Sequence, residues 1–234
     1  MSMPFYVSPE QLMKDRADYA RKGIARGRSV LTLIYDGGIV FITENPSRAL
    51  HKVSEIYDRI GFGAVGKYNE FESLRVAGVR YADLRGYAYD RSVVTARALA
   101  NAYAQTLGTA FTTEAKPLEV EIVVAEVGAS SGDDQIYRIN YDGAVVEEHG
   151  WVVIGGRADH IASELEEKWT PGLNLGQALE IGISVLQGAE ESKREIDVAN
   201  LEVAVLDRKR PRRTFNRLTP SDVVEARKSA FTRE

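Results

Sequence analysis

At 234 residues, 44% hydrophobic and 27% charged, the chain has enough apolar content to bury a core of its own, which excludes a disordered chain. A formal net charge of −4 provides no basic field for the phosphates of nucleic acid or for an anionic membrane surface, so neither is expected as a partner. With no cysteine there is no disulfide framework and no thiolate metal site.

The opening residues, Met1 to Tyr6, lack the basic flank and long apolar stretch of a secretory signal, and no run elsewhere has the length and apolarity to span a bilayer. A cytoplasmic protein is expected. Ser8-Pro9-Glu10-Gln11 is a helix start: Ser8 caps, Pro9 suits the first turn and Gln11 stands where a capping box places its partner. Through about Ala25 the apolar Met13, Ala17, Ala20 and Ile24 share one face, a stripe that must dock on something. Ser29 to Tyr35 and Ile39 to Thr43 are β-rich runs joined by Asp36-Gly37-Gly38, a hairpin.

After Asn45-Pro46-Ser47 a charged segment leads to Ile60-Gly61-Phe62-Gly63-Ala64-Val65-Gly66, a short strand whose small residues are expected to let helices pack close. Two helices follow. One runs from about Tyr68 to Asp83; the other, from about Thr95, stacks Leu99, Tyr103, Leu107 and Phe111 at i, i+4 spacing. Strands are expected at Glu119 to Val127, Gln135 to Tyr141, Val145 to Glu148 and Trp151 to Ile154. Helices near Asp159 to Trp169 and Leu175 to Gln187 come next, the second boxed by Asn174 and Gln177. Leu201 to Leu206 then closes the sheet region, Arg208 to Arg213 reads as a solvated connection, and Ser221-Asp222 begins a small terminal helix. Tight turns between neighbouring strands disfavour a βαβ repeat, and paired helices can cover two stacked sheets, so the expected fold is α+β, a four-layer α-β-β-α sandwich.

Three features invite other functions. Gly61-x-Gly63-x-x-Gly66 with Asp83 formally matches a dinucleotide fingerprint, but its glycines alternate with strand residues. His51, His149 and His160 lack metal-ligand spacing, so neither a metal nor an organic cofactor is expected. Ser29 is a conceivable nucleophile if the chain is cut before it, which leaves a self-processing N-terminal-nucleophile amidohydrolase as the alternative reading.

Ser8 to Gln11 with Ala20 to Ala25, Tyr35 to Gly38, Glu44 to Arg48, Lys52 to Arg59, Gly66 to Phe71, Arg85 to Arg91, Ala104 to Thr109 and Leu201 to Asp207 together resemble the α-type subunits of actinobacterial 20S proteasomes. The resemblance covers about nine tenths of the chain and implies the N-terminal-nucleophile hydrolase type of sandwich. It divides the chain into a gate segment at 1–8, an α-type domain at 9–218 and a tail at 219–234. It implies outer seven-membered rings of α subunits stacked on proteolytic β-type subunits, protein substrates in transit, and an ATPase activator docked by its C-terminal tail.

By the same resemblance Lys52 meets the tail's carboxylate in a pocket to which Gly27, Arg26, Gly66 and Lys67 contribute. Ser2, Met3, Pro4, Phe5, Tyr6, Val7 and Ser8 form the gate, and Met13, Ala17, Ala20 and Ile24 pack between ring neighbours. No catalytic residue is expected. The first strand opens Gly27-Arg28-Ser29-Val30 without a threonine to free, although Glu44 and Lys52 stand where the active sister subunit has its acid and lysine.

Overall fold

Helix α1 (Pro9–Ala25) begins on Ser8, whose hydroxyl accepts the Gln11 backbone N–H at 3.2 Å. Only half of the expected box forms, because the Gln11 side chain donates to Asp15 instead. The computed structural model describes residues 8–189, 195–228 and 230. Ahead of the first strand α1 is tied to the body by Arg16. Its guanidinium donates to the carbonyl oxygens of Phe111 (2.7 Å), Ala110 and Glu114 at the end of another helix, where the carbonyl end of the helix favours a cation.

Strands β1 (Val30–Tyr35) and β2 (Gly38–Glu44) form the predicted hairpin, in register from Val30↔Thr43 to Tyr35↔Gly38. Gly38 has φ +146°, and a Cβ there would stand 1.9 Å from the Leu206 carbonyl oxygen, so the turn requires glycine. The chain continues through β3 (Val53–Tyr57), β4 (Ile60–Gly66), α2 (Tyr68–Ala88), α3 (Ala96–Thr113), β5 (Val120–Glu126), β6 (Gln135–Ile139), β7 (Val145–Glu148) and β8 (Trp151–Ile154). It ends with α4 (Ala158–Lys168), α5 (Leu175–Gly188), β9 (Leu201–Asp207), β10 (Phe215–Leu218) and α6 (Pro220–Lys228). The strands make two antiparallel sheets, ordered β10-β9-β2-β1-β8 and β3-β4-β5-β6-β7.

Strand alternation sorts the side chains into layers. Leu31, Leu33, Val40, Ile42, Val203 and Val205 face α4 and α5, while Phe62, Ala64, Ile122 and Val124 face α2 and α3. The opposite parity, Val30, Ile39, Phe41, Ala204 and Leu206 against Val65, Val123 and Ala125, fills the space between the sheets. The α-β-β-α sandwich is therefore as expected. Ala20 and Ile24 of α1 belong to this intersheet core as well, so α1 lies across one end of the sandwich.

Four local expectations change. The charged stretch after Ser47 contains strand β3, an edge strand whose Glu55 pairs with Arg213 at 2.6 Å while Asp58 beside it pairs with Arg91; edge strands keep such charges. The small residues of β4 admit the facing sheet, not helices: a Cβ on Gly61 would lie 2.8 Å from the Phe41 ring, and one on Gly63 3.4 Å from it. Leu201 to Leu206 does not close the sheet, since β10 pairs beyond it from Phe215↔Leu206 to Leu218↔Val203. The basic run between them is a turn with structural work to do. Both terminal nitrogens of Arg208 reach the buried Asp134 carboxylate at 2.8 Å.

The last helix starts one residue earlier than Ser221. Thr219 and Asp222 cap each other, with Asp222 N–H on the Thr219 hydroxyl and Thr219 N–H on the Asp222 carboxylate. Helix α6 then packs on α5 through the buried Val223 and an Arg227–Glu180 bond of 2.7 Å.

Because Phe41 occupies the space that Gly61 leaves, Gly61→Leu is expected to destabilise the chain by about 1–3 kcal/mol. Phe41→Leu on that background should recover part of the loss. Denaturant unfolding of the single and double variants reads this coupling, and strictly additive losses would contradict the contact.

Candidate functional site

The predicted docking residues lie where three segments meet at the α1 end of the sandwich: the connector at 26–29, the loop at 45–52, and the turn from β4 into α2. Lys52, half buried, ends the loop. Its Nζ donates to the Arg28 carbonyl oxygen at 2.7 Å, and its own carbonyl accepts the Ala64 N–H at 3.0 Å. Burial, reinforced by the Arg28 guanidinium and partly offset by the Glu202 and Glu44 carboxylates, pushes its ammonium down to about 8. Arg28 Nε lies 3.3 Å from the buried Glu44 carboxylate.

Gly27 is needed for packing. A Cβ there would meet the Val65 side chain at 2.5 Å and the Gly66 nitrogen at 3.4 Å. Both of its backbone groups are engaged within the chain, the N–H with Ile24 O (2.9 Å) and the carbonyl with the Gly156 N–H (3.3 Å). Gly66 has φ +117° and lies against the Glu119 carbonyl, which a Cβ would approach to 1.9 Å. Lys67, exposed, extends toward Glu70 at 3.8 Å; no hydrogen bond or ion pair among the described residues joins it to Lys52. Arg26 is exposed at the end of α1. With Gly27, Arg28, Ser29, Glu44 and Arg157 it borders a hollow of about 150 Å³.

Ser29, the candidate nucleophile, is buried. Its hydroxyl accepts the Arg157 N–H at 3.4 Å, and its carbonyl accepts the Thr43 hydroxyl at 2.7 Å. The stripe on α1 splits: Ala20 and Ile24 are buried within this chain, Ala17 packs at the margin of the same core, and Met13 stays exposed with Leu12 and Tyr19. Ser8 is exposed; Ser2, Met3, Pro4, Phe5, Tyr6 and Val7 lie outside the described residues. The Gly61/Gly63/Gly66 pattern is strand β4 itself, so it forms no phosphate loop. Among the described residues there is no group of three metal-ligating side chains, and no helix is long and apolar enough to cross a membrane.

One part of the site escaped sequence reasoning. Glu202, on β9, is almost fully buried and collects hydrogen bonds from the loop that carries Lys52. A signal was available: in Leu201 to Leu206 it is the one charged residue within the run, and alternation puts it on the same inward face as Ala204 and Leu206.

A sandwich of two antiparallel sheets between helix pairs is the architecture of the N-terminal-nucleophile hydrolase and proteasome type; here α1 is in addition laid over the end where the first strand starts. The chain belongs to the proteasome subunit family: the family model described as "Proteasome subunit" matches residues 24–206, from the last turn of α1 almost to the end of β9. Within that family it is similar to three actinobacterial proteins, each named "Proteasome subunit alpha". The protein from Sanguibacter keddieii is 72% identical over 220 residues, covering 93% of this chain and 86% of the relative. That from Xylanimonas cellulosilytica is 66% identical over 235 residues, covering 97% and 96%, and that from Kineococcus radiotolerans is 65% identical over 225 residues, covering 94% and 95%.

The lowered Lys52 value has a sign in stability. The folded chain releases the proton near pH 8, whereas the unfolded chain holds it to the ordinary lysine value of 10.5, so stability from this group rises with pH between them. Denaturant midpoints across that window should climb less in Lys52→Met than in the parent. Parallel curves would contradict the buried ammonium.

Proposed function

We propose that the chain is an α-type subunit that builds the outer, seven-membered rings of a proteasome core, gates substrate entry and docks an ATPase activator, leaving bond cleavage to β-type partners. The single observation that carries this reading is α1. It precedes β1, and Ala20 and Ile24 sink its inner face into the intersheet core. Burying an Ile side chain is worth about 2 kcal/mol, so removing α1 to free Ser29 would open the core as well as delete the helix. A proteasomal nucleophile needs a free amine on the same residue to take the hydroxyl proton, and Ser29 would gain one only by giving up α1.

Exposed apolar surface supports assembly with other proteasome subunits. Leu12, Met13 and Tyr19 lie open on α1, and Leu84, Tyr87 and Tyr89 lie open near the end of α2, with Tyr87 94% exposed. The first group faces outward from the helix that clasps its own chain, which suits contact between ring neighbours. Ring packing is therefore assigned to Met13 with Leu12 and Tyr19, while Ala20 and Ile24 hold the helix in place for it. Met13→Glu is expected to reduce the yield of assembled particle with the far-ultraviolet circular dichroism unchanged; an unchanged yield would remove α1 from the contact.

Docking is assigned to Lys52, whose ammonium would exchange the Arg28 carbonyl for the carboxylate of an activator's C-terminal residue, a stronger, charge-assisted bond. The segment at residues 1–7, converging from several copies at a ring axis, is assigned the gate. Proteins move through this pore in the cytoplasm. Lys52→Ala should assemble normally but lose most activator-stimulated degradation, and deletion through Val7 should raise unstimulated peptide hydrolysis several-fold. Full stimulation in the first variant sinks the docking role, and an unchanged rate in the second sinks the gate.

A further inference from the structure

Alternation along β9 places Glu202 among the apolar residues between the sheets, where an unsatisfied carboxylate would cost several kcal/mol. It is instead saturated, and its partners come mostly from one short loop. Oε2 accepts the backbone N–H of Lys52 at 3.0 Å and the Asn45 side-chain amide at 2.7 Å. Oε1 accepts the N–H of Val53 at 3.1 Å and lies 3.3 Å from His51 Nδ1. Arg217 on β10 completes the set, donating to Oε1 with one nitrogen and to the Val53 carbonyl with the other at 2.7 Å.

The two ends of the loop thus close on a single carboxylate. Asn45 also donates to the Leu50 carbonyl at 2.7 Å, which ties the intervening chain back on itself. Two consecutive amides held by the two oxygens of one carboxylate fix the backbone at Lys52, and with it the point from which the side chain sets out toward Arg28. We propose that Glu202, held in turn by Arg217, is the positioning residue for Lys52: it aims the lysine at an incoming carboxylate without touching that ligand. The inference rests on the docking reading above.

Electrostatics gives this role a signature that simple support of the fold lacks. The charged or titratable groups around the Lys52 ammonium are Arg28 before β1, Glu44 at the end of β2, Glu202 on β9, Arg217 on β10 and His51 next in the loop. Glu202 favours the charged lysine. Replacing it with a neutral residue should let Lys52 lose its proton at lower pH, whereas removing Arg217 should expose more of the Glu202 charge and move the titration up.

The test uses the assembled particle and a short synthetic peptide copying the C-terminal residues of the cell's proteasomal ATPase, as free acid and as amide, with affinity measured from pH 6 to pH 10. In the parent the free acid should bind better than the amide, with the advantage fading as pH rises through about 8. Glu202→Gln should weaken the free acid about tenfold at neutral pH, the order expected for a charged hydrogen bond, and bring the midpoint down. Arg217→Gln should raise the midpoint, and it carries the test alone if Glu202→Gln does not assemble.

Loss of acid binding in Lys52→Met, with parental affinity and midpoint in both other variants, would overturn the positioning role and leave docking intact. A loss equal at every pH, with the midpoint unmoved, would overturn it as well. Parental binding by Lys52→Met would overturn the docking reading and the inference together.

Discussion

Closure of the space between the two sheets is the constraint on which the rest of the molecule depends. Phe41 can cross that space because Gly61 and Gly63 present no side chain, and Val30, Val65, Val123 and Leu206 pack around it. One end of the core would lie open where β1 begins. Helix α1 covers it with Ala20 and Ile24, and Arg16 fastens the helix to the end of α3. In a fold class whose active members use a free amino terminus at the head of a core strand, a helix stands ahead of that strand here.

Charge is arranged around this apolar closure in matched groups. Arg28 lies against Glu44, Lys52 spans from its loop to the Arg28 carbonyl, and Glu202 gathers the amides on either side. Buried charges are costly to desolvate, so such networks are weak sources of stability and better understood as devices that fix geometry. Burial leaves the lysine holding its proton less firmly than it would in water, with titration near pH 8.

Much of this was legible in the sequence because it rests on local signals. The Asp36-Gly37-Gly38 turn, the Asn174–Gln177 box and the i, i+4 row on α3 each have a short-range cause and appear where expected. What escaped was decided at long range. Strands β3 and β10 are edge strands whose charges are matched by partners distant in sequence, as Glu55 is by Arg213, so neither carries a clean alternation of apolar and polar residues. The glycines of β4 announce a close approach but not its direction. At the site, resemblance supplied Lys52, whereas the carboxylate bonded to its loop stands about 150 residues away: alternation along β9 could have marked Glu202 as buried, but its partners emerge only when β9 is placed beside the loop. The stripe on α1 needs cover, and for Ala20 and Ile24 its own chain supplies it.

On the function proposed above, α1 stays attached and this polypeptide forms a portal while others cut. The direct measurement is the intact mass of this chain taken from an assembled, peptide-hydrolysing particle formed with its β-type partner. The expected mass is that of a chain that still carries residues 8–28 ahead of Ser29. A chain that begins at Ser29 in the active particle would contradict it.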